Sequence, residues 1–378
     1  MFSHRLPFHL PRNPISDAIE DRRRSGQELL DLTESNPTRA GIVYPIAEIL
    51  SGFQEAQSLV YDPSSNGLPQ ARSQVAELYG VAHDRVVLTA SSSEAYSWLF
   101  KLLCDPGDEI LTPRPSYPLF EFLASLEVVQ IRQYSLRYDE GWFIDFDPLE
   151  AAIGPRTRAI VVVSPNNPTG SYLKTWELDR LRRLCARFEL ALISDEVFSD
   201  YALEQVDLRS LTCVDDVLTF CLGGLSKMVG TPQMKLGWMI AGGPPAILSD
   251  ALSRIDLIAD NFLSVGTPVQ YALPKLLAAR SRVQQQILER LQRNLAFLRS
   301  AVGAKPDFRL LKVEGGWYAI LRVPRIRSEE EWTLALLERG VLVQPGYFYD
   351  FESEAYLIVS LLTPESPFRE GIGRILND

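Results

Sequence analysis

The chain has 378 residues, of which 46% are hydrophobic and 23% are charged, a balance typical of globular proteins. Its formal net charge of −10 argues against nucleic acid or an anionic membrane surface as the main partner. Only three histidines are present, and the four cysteines show no Cys-x-x-Cys spacing, so we expect neither a histidine-based triad nor a metal site.

The cysteines lie within apolar runs, which favours reduced, buried thiols in a cytosolic protein. The chain contains no run of about eighteen apolar residues that could span a membrane. Its N-terminus carries prolines and charges where a signal peptide needs an apolar core. We therefore expect a cytoplasmic protein that does not act on membranes.

Residues 1–45 are predicted to be mostly irregular, because they are rich in proline and basic residues. Within them the pattern predicts a short helix over Pro14–Arg24 and a strand near Leu29–Leu32. A turn is expected at Glu34–Thr38. Helical spacing then appears at Gln70–Tyr79.

From residue 85 to about 242, short apolar strands alternate with amphipathic helices. The predicted strands are Val86–Leu88, Glu109–Thr112, Ala159–Ser164, Ala191–Asp195, Val217–Leu222 and Leu236–Ala241. The predicted helices are Glu94–Cys104, Leu119–Leu126, Trp176–Phe188 and Ala246–Leu257. This alternation predicts an α/β fold with a mostly parallel sheet and helices on both faces. Ligands are expected at the carboxyl ends of its strands.

A long helix over Arg280–Val302 is predicted to join this core to a C-terminal α+β lobe. The lobe is expected to contain strands near Arg309–Val313, Trp317–Val323, Val341–Gln344 and Tyr356–Leu361, with helices at Glu329–Arg339 and Arg369–Leu376. We therefore expect a large domain over residues 46–278 and a smaller domain formed by residues 1–45 and 279–378.

Lys227 lies between two predicted core strands, on an expected loop that is preceded by two glycines. A lysine there is expected to be partly desolvated, which favours its neutral, nucleophilic amine. The chain has seven lysines against thirty-one arginines, and only lysine can form a Schiff base. The alternative is an ordinary surface lysine whose amine extends into solvent.

Other polar residues follow other predicted strands. Ser91, Ser92 and Ser93 open a predicted helix, where hydroxyls and free N–H groups suit a phosphate, although a plain serine N-cap explains them equally well. Three further candidates follow other predicted strands: the aromatic residue Tyr117, the amide Asn167 in an Asn-Pro-Thr-Gly turn, and the carboxylate Asp195. Packing and simple turn formation are the alternatives for the first two. A carboxylate after an apolar run is costly to bury unless it meets a cation.

In this combination and chain order, the sequence resembles the class I/II aminotransferases, which are fold-type-I enzymes that use pyridoxal 5′-phosphate (PLP). The resemblance extends from Glu34-Ser-Asn-Pro through Pro345-Gly346 to the C-terminal helix. It implies a large PLP-binding domain with a sheet of the seven-stranded type and a smaller α+β domain.

The resemblance also implies roles for individual residues. Lys227 is placed like the lysine that forms the Schiff base with PLP, and Asp195 like the carboxylate that pairs with the ring nitrogen. Asn167 resembles the amide that binds the ring 3′-oxygen, and Tyr117 the aromatic residue that stacks on the ring. The phosphate is expected to be bound by Ser91, Ser92, Ser93 and Lys235. Ser226 is included among the cofactor-binding residues. Tyr61 resembles a tyrosine that reaches the phosphate of a neighbouring subunit, which implies a homodimer with shared active sites.

Three positions depart from the family pattern. Phe198 stands where many relatives have a tyrosine, and Lys235 stands where an arginine usually binds the phosphate. Ile358 stands where relatives carry the arginine that binds the substrate α-carboxylate. We expect Arg39, next to the Asn36 turn, to replace that arginine, and we include Asn36 among the substrate-binding residues. Arg369 is a weaker candidate.

The expected reaction is transfer of an amino group between an amino acid or amine and a 2-oxo acid. Elimination or decarboxylation on the same fold remains an alternative, as does a PLP-binding sensor without catalytic activity. A P-loop nucleotide site is excluded, because its lysine must follow a glycine and precede Ser or Thr, whereas Lys227 lies between Ser226 and Met228.

Overall fold

The computed structural model describes residues 3, 5, 13–207, 210–353 and 355–377. Its strands are β1 (Leu30–Asp31), β2 (Val86–Thr89), β3 (Glu109–Arg114), β4 (Gln130–Tyr138), β5 (Trp142–Ile144), β6 (Thr157–Val163), β7 (Ala191–Asp195), β8 (Thr219–Gly224), β9 (Gly237–Gly242), β10 (Arg309–Leu310), β11 (Tyr318–Arg322), β12 (Val341–Leu342), β13 (Gln344–Pro345) and β14 (Tyr356–Ser360). Its α-helices are α1 (Pro14–Arg24), α2 (Ile46–Ser51), α3 (Pro69–Tyr79), α4 (Ser92–Leu103), α5 (Phe120–Leu126), α6 (Phe146–Ala152), α7 (Thr175–Phe188), α8 (Leu225–Met228), α9 (Pro245–Asp260), α10 (Thr267–Gly303), α11 (Glu329–Glu338) and α12 (Glu365–Leu376). None of these helices is both long and apolar enough to cross a membrane.

Eight of the described strands form one sheet in the order β2-β9-β8-β7-β6-β3-β4-β5. The five strands from β8 to β4 in this order are parallel, whereas β9 is antiparallel to both neighbours and β5 to β4. The predicted α/β class with a mostly parallel sheet is confirmed. The sheet has eight strands rather than the expected seven: six match strands predicted from the sequence, and β4 and β5 add two at one edge. β4 exposes many of its side chains, so it lacks the continuous apolar run that identified the central strands.

Buried apolar side chains cover both faces of this sheet. On one face Trp98 of α4 and Ile255 of α9 belong to a single core cluster. On the other face Leu181 of α7 and Leu276 of α10 belong to a second cluster. The helices therefore enclose the central strands and leave the strand ends for polar residues.

The C-terminal lobe contains a four-stranded antiparallel sheet in the order β10-β11-β14-β13, while β1 pairs with β12 in parallel. Helix α10 is 37 residues long and begins at Thr267, earlier than the predicted Arg280, with Pro274 inside it. Its buried side chains belong to the sheet cluster up to Ala279 and to the lobe cluster from Val283 onward. Burial of this apolar face offsets the hydrogen bond that the proline removes.

Candidate active site

Lys227 lies between β8 and β9, on the short helix α8. The prediction of a loop at this position is therefore wrong in detail. β8 is completely buried and ends in Gly224, and the chain then turns into α8. The lysine thus projects from a single helical turn at the end of a core strand.

The backbone of this turn is held by tyrosines that are distant in sequence. Tyr201 Oη donates to the carbonyl of Lys227 at 2.6 Å, and Tyr44 Oη donates to the carbonyl of Gly230 at 2.6 Å. Gly230 has φ +66°, and a Cβ there would lie 3.0 Å from the Tyr44 hydroxyl. Tertiary contacts, rather than helix propensity, therefore fix the turn.

The Lys227 amine lies against two aromatic rings. Its Nζ is 4.7 Å from the ring centre of Trp317 and 5.1 Å from that of Phe198. Burial lowers the pKa of Lys227 to about 8, and the nearby Asp195 carboxylate opposes this shift. At neutral pH the amine therefore has a much larger neutral fraction than an exposed lysine, which makes it a better nucleophile.

Asp195 is the last residue of β7 and is 8% exposed. Its Oδ1 accepts the backbone N–H of Val197 at 3.2 Å, and its Oδ2 accepts the Tyr96 hydroxyl at 3.2 Å. Burial raises the pKa of Asp195 to about 6, while these hydrogen bonds and Lys227 favour the charged form. The carboxylate is therefore largely ionised at neutral pH and faces the lysine. We did not predict the contact with Tyr96.

The two adjacent asparagines after β6 differ in how their side chains are used. Asn166 Nδ2 donates to Ser116 Oγ at 3.2 Å, and Asn166 Oδ1 accepts the Thr169 N–H at 3.3 Å. Asn167 Oδ1 is also buried, but it has no hydrogen-bond partner among the described residues. The turn therefore consumes Asn166 and leaves the Asn167 amide for a ligand.

The three serines at the start of α4 differ in position: Ser91 caps the helix, whereas Ser92 and Ser93 lie in its first turn. Ser91 Oγ accepts the Glu94 N–H at 3.2 Å, while Glu94 Oε2 accepts the Ala90 N–H at 2.6 Å, so Ser91 is an N-cap. Ser92 and Ser93 occupy the first turn and are partly buried. Their N–H groups belong to the helix terminus that lacks intrahelical acceptors and attracts anions.

Tyr117 follows β3, and its ring is 6.0 Å from the ring of Phe120 in an edge-on arrangement. Burial, more than the Asp195 carboxylate, raises the pKa of Tyr117. Tyr117 also borders a cleft of about 600 Å³. It thus follows a strand whose carboxyl end lies at the same edge of the sheet as Asp195.

Three predicted residues lie outside the buried cluster of this single chain. Lys235 and Arg39 are exposed, and Tyr61 is 80% exposed. Ser226, next to Lys227, is partly buried. The cluster is thus formed mainly by residues at the strand ends. The exposed Lys235, Arg39 and Tyr61 lie at its border or on another part of the protein surface.

On the predicted substrate side, the amide oxygen of Asn36 is already hydrogen-bonded within its own turn, and Ile358 is a buried aliphatic residue. Asn36 Oδ1 accepts the N–H of Thr38 at 3.0 Å, so this oxygen stabilises its own turn. Ile358 is fully buried at the centre of β14, where it is paired with Ile320 and Gln344. It has no polar group to offer a substrate.

Two residues that we did not predict also line the site. Trp317 precedes β11 and contacts the Lys227 amine. Tyr318 is buried beside Phe198, with 6.4 Å between their ring centres. In sequence both belong to an apolar strand pattern, which does not distinguish a site residue from a core residue.

A family model described as aminotransferase class I and II matches residues 28–372. The glutamate-pyruvate aminotransferase AlaA of Haemophilus influenzae is 26% identical over 383 residues, covering 96% of this chain and 94% of that protein. The alanine aminotransferase of Mycobacterium tuberculosis is 28% identical over 386 residues, covering 97% and 89%.

Solved structures show the same similarity. The alanine aminotransferase of Pyrococcus furiosus superposes with a TM-score of 0.88 at 25% identity, covering 97% of this chain and 96% of that one. An aminotransferase from Escherichia coli superposes with a TM-score of 0.89 at 23% identity, covering 100% and 97%, which shows a shared fold.

Proposed function

This chain belongs to the class I and II aminotransferases and is a PLP-dependent aminotransferase, and we propose that its reaction takes place at the cluster formed by Lys227, Asp195 and Asn167. The amino donor in this proposal is an α-amino acid and the acceptor a 2-oxo acid. The observation that supports it best is a lysine amine with a pKa of about 8 beside a buried carboxylate. Alanine and glutamate aminotransferases among the relatives support the substrate class.

The residues present fit the cofactor. The buried Asn167 oxygen has no partner among the described residues, so this amide is not consumed by its turn, and toward the ring 3′-oxygen it would donate through its Nδ2–H group. Asp195 offers a charged oxygen for a ring nitrogen. Ser92 and Ser93 would bind the phosphate through the N-terminus of α4. When bound, PLP supplies an aldehyde that condenses with amines and a ring that accepts electrons.

The remaining steps depend on the chain's own side chains. In its neutral form the Lys227 amine is a nucleophile toward a carbonyl, and once free it would accept a proton from the substrate α-carbon and deliver it to a different carbon, as transfer of an amino group requires. With a pKa of about 8, roughly a tenth of this amine is neutral at pH 7. The aromatic rings of Phe198 and Trp317 exclude water from the amine, which keeps its pKa low.

We further propose that Arg39 binds the substrate carboxylate in place of an arginine at position 358. Ile358 carries no charge, and a carboxylate left without a cation would lose several kcal/mol through desolvation. The Arg39 guanidinium makes no ion pair or hydrogen bond with any other described residue, so it is available. Arg369 is a poorer candidate, since it lies 4.0 Å from Glu365 and stacks on Phe297.

The proposal also includes a homodimer to which Tyr61 contributes. Six large hydrophobic side chains between residues 43 and 61 are more than half exposed, namely Val43, Ile46, Leu50, Leu59, Val60 and Tyr61. A monomer rarely exposes such a concentration of apolar surface, and a second copy of the chain would cover it.

We expect Leu59→Glu to dissociate this dimer in sedimentation velocity, because Leu59 is 90% exposed within the apolar segment. Ile326→Glu is the matched control, since Ile326 is 73% exposed but lies elsewhere in the chain. A wild-type protein that sediments as a monomer would contradict the homodimer.

A cytoplasmic location completes the proposal. All four cysteines are free thiols, and two of them, Cys185 and Cys221, are buried. Free thiols are typical of proteins in reducing compartments. Fractionation of cells that express the tagged protein would test this location.

A single-turnover screen tests the reaction itself. The PLP-loaded protein is mixed with one amino donor at a time, and the products are identified. We expect release of a 2-oxo acid, with the amino group retained as pyridoxamine phosphate. Release of ammonia or CO₂ would instead identify elimination or decarboxylation, and binding without turnover would identify a sensor.

A further inference from the structure

The Asp195 carboxylate is hydrogen-bonded to a helix as well as to the backbone that directly follows its own strand. The Tyr96 hydroxyl, on α4, donates to Asp195 Oδ2 at 3.2 Å, and both side chains are buried. The other oxygen, Oδ1, accepts a bond from the Val197 N–H, so the plane of the carboxylate is held from two directions. Each oxygen retains a further lone pair for a ligand.

Tyr96 is itself rigidly placed. It is 1% exposed, and its ring lies 5.2 Å from that of Phe120 in an edge-on arrangement and 6.0 Å from that of Phe100. It lies four residues after Ser92, so both side chains project from one face of α4. The same helix therefore carries the predicted phosphate-binding serines at its N-terminus and contacts Asp195 one turn later.

We propose that Tyr96 is a positioning residue that orients Asp195, keeps it ionised, and fixes its distance from the phosphate end of the site. This inference rests on the proposed function, since it assigns Tyr96 a role toward the cofactor. A hydroxyl that donates to a carboxylate stabilises the charged form and opposes the cost of burial. One helix thereby sets the spacing between the two ends of the bound cofactor.

The direction of the pH effect follows from this contact. Burial raises the pKa of Asp195 to about 6, and the Tyr96 hydrogen bond lowers it. Removal of the hydroxyl therefore raises the pKa of Asp195 further. Among the described residues, the titratable groups whose charges act on Asp195 are Tyr96, Tyr117, Glu196, Cys221 and Lys227.

The test uses 4′-deoxypyridoxine 5′-phosphate, an analogue without the aldehyde, so that binding does not depend on a bond to Lys227. Affinity for the apoprotein is measured by fluorescence between about pH 5 and about pH 9, a range that spans the titration of Asp195. We expect the pH at which binding weakens on acidification to rise by about one unit in Tyr96→Phe, as for loss of a hydrogen bond to a charged group.

Tyr134→Phe is the matched control. Tyr134 is equally buried, and its hydroxyl donates at 2.8 Å to the backbone carbonyl of Val161 instead of to Asp195. This variant should keep the wild-type pH midpoint although it loses the same atom. Thermal unfolding of the two variants separates a general loss of stability from an effect on Asp195.

A double-mutant cycle supplies a second measurement. In an Asp195→Asn background, Tyr96→Phe should leave the pH profile of analogue binding unchanged, because the group that it acts on no longer titrates. A Tyr96→Phe midpoint equal to that of wild type would overturn the inference. So would a shift caused by Tyr96→Phe that persists in the Asp195→Asn background. A wild-type apoprotein that binds no analogue at any pH would instead overturn the proposed function, and the inference with it.

Discussion

The two sides of the candidate active site are built on different principles. The polar side, formed by Lys227, Asp195 and Asn167, lies at the ends of strands in the large sheet. The apolar side, formed by Trp317, Tyr318 and Ile358, belongs to the C-terminal lobe. On the polar side each group has an incomplete or costly environment, such as the buried Asp195 carboxylate and the unpartnered Asn167 oxygen. On the apolar side the residues are placed largely by packing, although the buried Nε1–H of Trp317 has no partner among the described residues.

This difference separates two tasks. Groups that are kept unsatisfied or desolvated by the fold are suited to bind a cofactor and to transfer protons. Residues satisfied by packing determine the shape of a site and exclude water, but they provide little charge for a substrate carboxylate. In the proposed reaction the chemistry is therefore carried by the polar side, and the substrate specificity depends on which cation beside the apolar side binds the substrate carboxylate.

The largest expected effect comes from removing the amine on the polar side. Lys227→Ala should abolish the covalent, borohydride-reducible link to PLP, because no other amine of the described residues has the same placement beside Asp195. Mass spectrometry of the reduced protein measures the link directly. Lys235→Ala, which removes an exposed amine from the neighbouring segment, should retain it. A reducible link that persisted in Lys227→Ala would show that another lysine reacts.

The polar side was largely predictable because its residues follow short apolar runs. β7 was predicted with its observed bounds, Ala191–Asp195, since a central parallel strand is apolar on both faces and stops at a charged residue. β4 was not predicted, because this strand near the sheet edge alternates and exposes charged side chains. The helical turn that carries Lys227 was also missed, because the tyrosine contacts that fix it come from distant segments.

The remaining parts of the site depend on tertiary contacts that no local pattern contains. Tyr96 looks like one more apolar residue on the buried face of α4, and only the fold brings its hydroxyl to Asp195. In the same way, the family resemblance singled out Asn167, but no local pattern explains why its side chain rather than that of Asn166 is left for a ligand. Their different roles become visible once the hydrogen bonds of the turn are known.

The second prediction tests whether Arg39 supplies the positive charge for the substrate carboxylate that the apolar side lacks. Arg39→Ala should lower kcat/KM for accepted α-amino acids by about tenfold or more, the usual effect of losing a hydrogen bond to a charged group. Steady-state kinetics with several donors measures this change. Arg369→Ala is the control and should leave kcat/KM nearly unchanged, since that side chain is engaged with Glu365 and Phe297.

If Arg39→Ala had no effect on any α-amino acid, the relocated carboxylate site would be ruled out. Donors without an α-carboxylate should then be tested, because an uncharged pocket beside Ile358 would favour a simple amine. Activity with such amines, unaffected by Arg39→Ala, would confirm this second substrate class.

The smallest expected effect concerns Phe198, which lies where the two sides meet. Its ring contacts the Lys227 amine on the polar side and Trp317 on the apolar side, 5.2 Å away between ring centres. Phenylalanine cannot donate a hydrogen bond to the 3′-oxygen of the cofactor, which leaves Asn167 as the proposed donor. A donor stabilises the anionic oxygen and thereby favours loss of the proton from the nitrogen that links Lys227 to PLP.

Phe198→Tyr should therefore lower the pH midpoint of the absorbance change of bound PLP by roughly half a unit to one unit. Spectrophotometric titration of the PLP-loaded proteins measures this midpoint. Phe262→Tyr adds the same hydroxyl at a ring that is 52% exposed and lies over α4, so it should titrate like the wild type. Coincident titrations of wild type and Phe198→Tyr would show that the position is too far from the 3′-oxygen to donate. In that case Phe198 would belong to the apolar side alone, and its effect would be limited to desolvating Lys227.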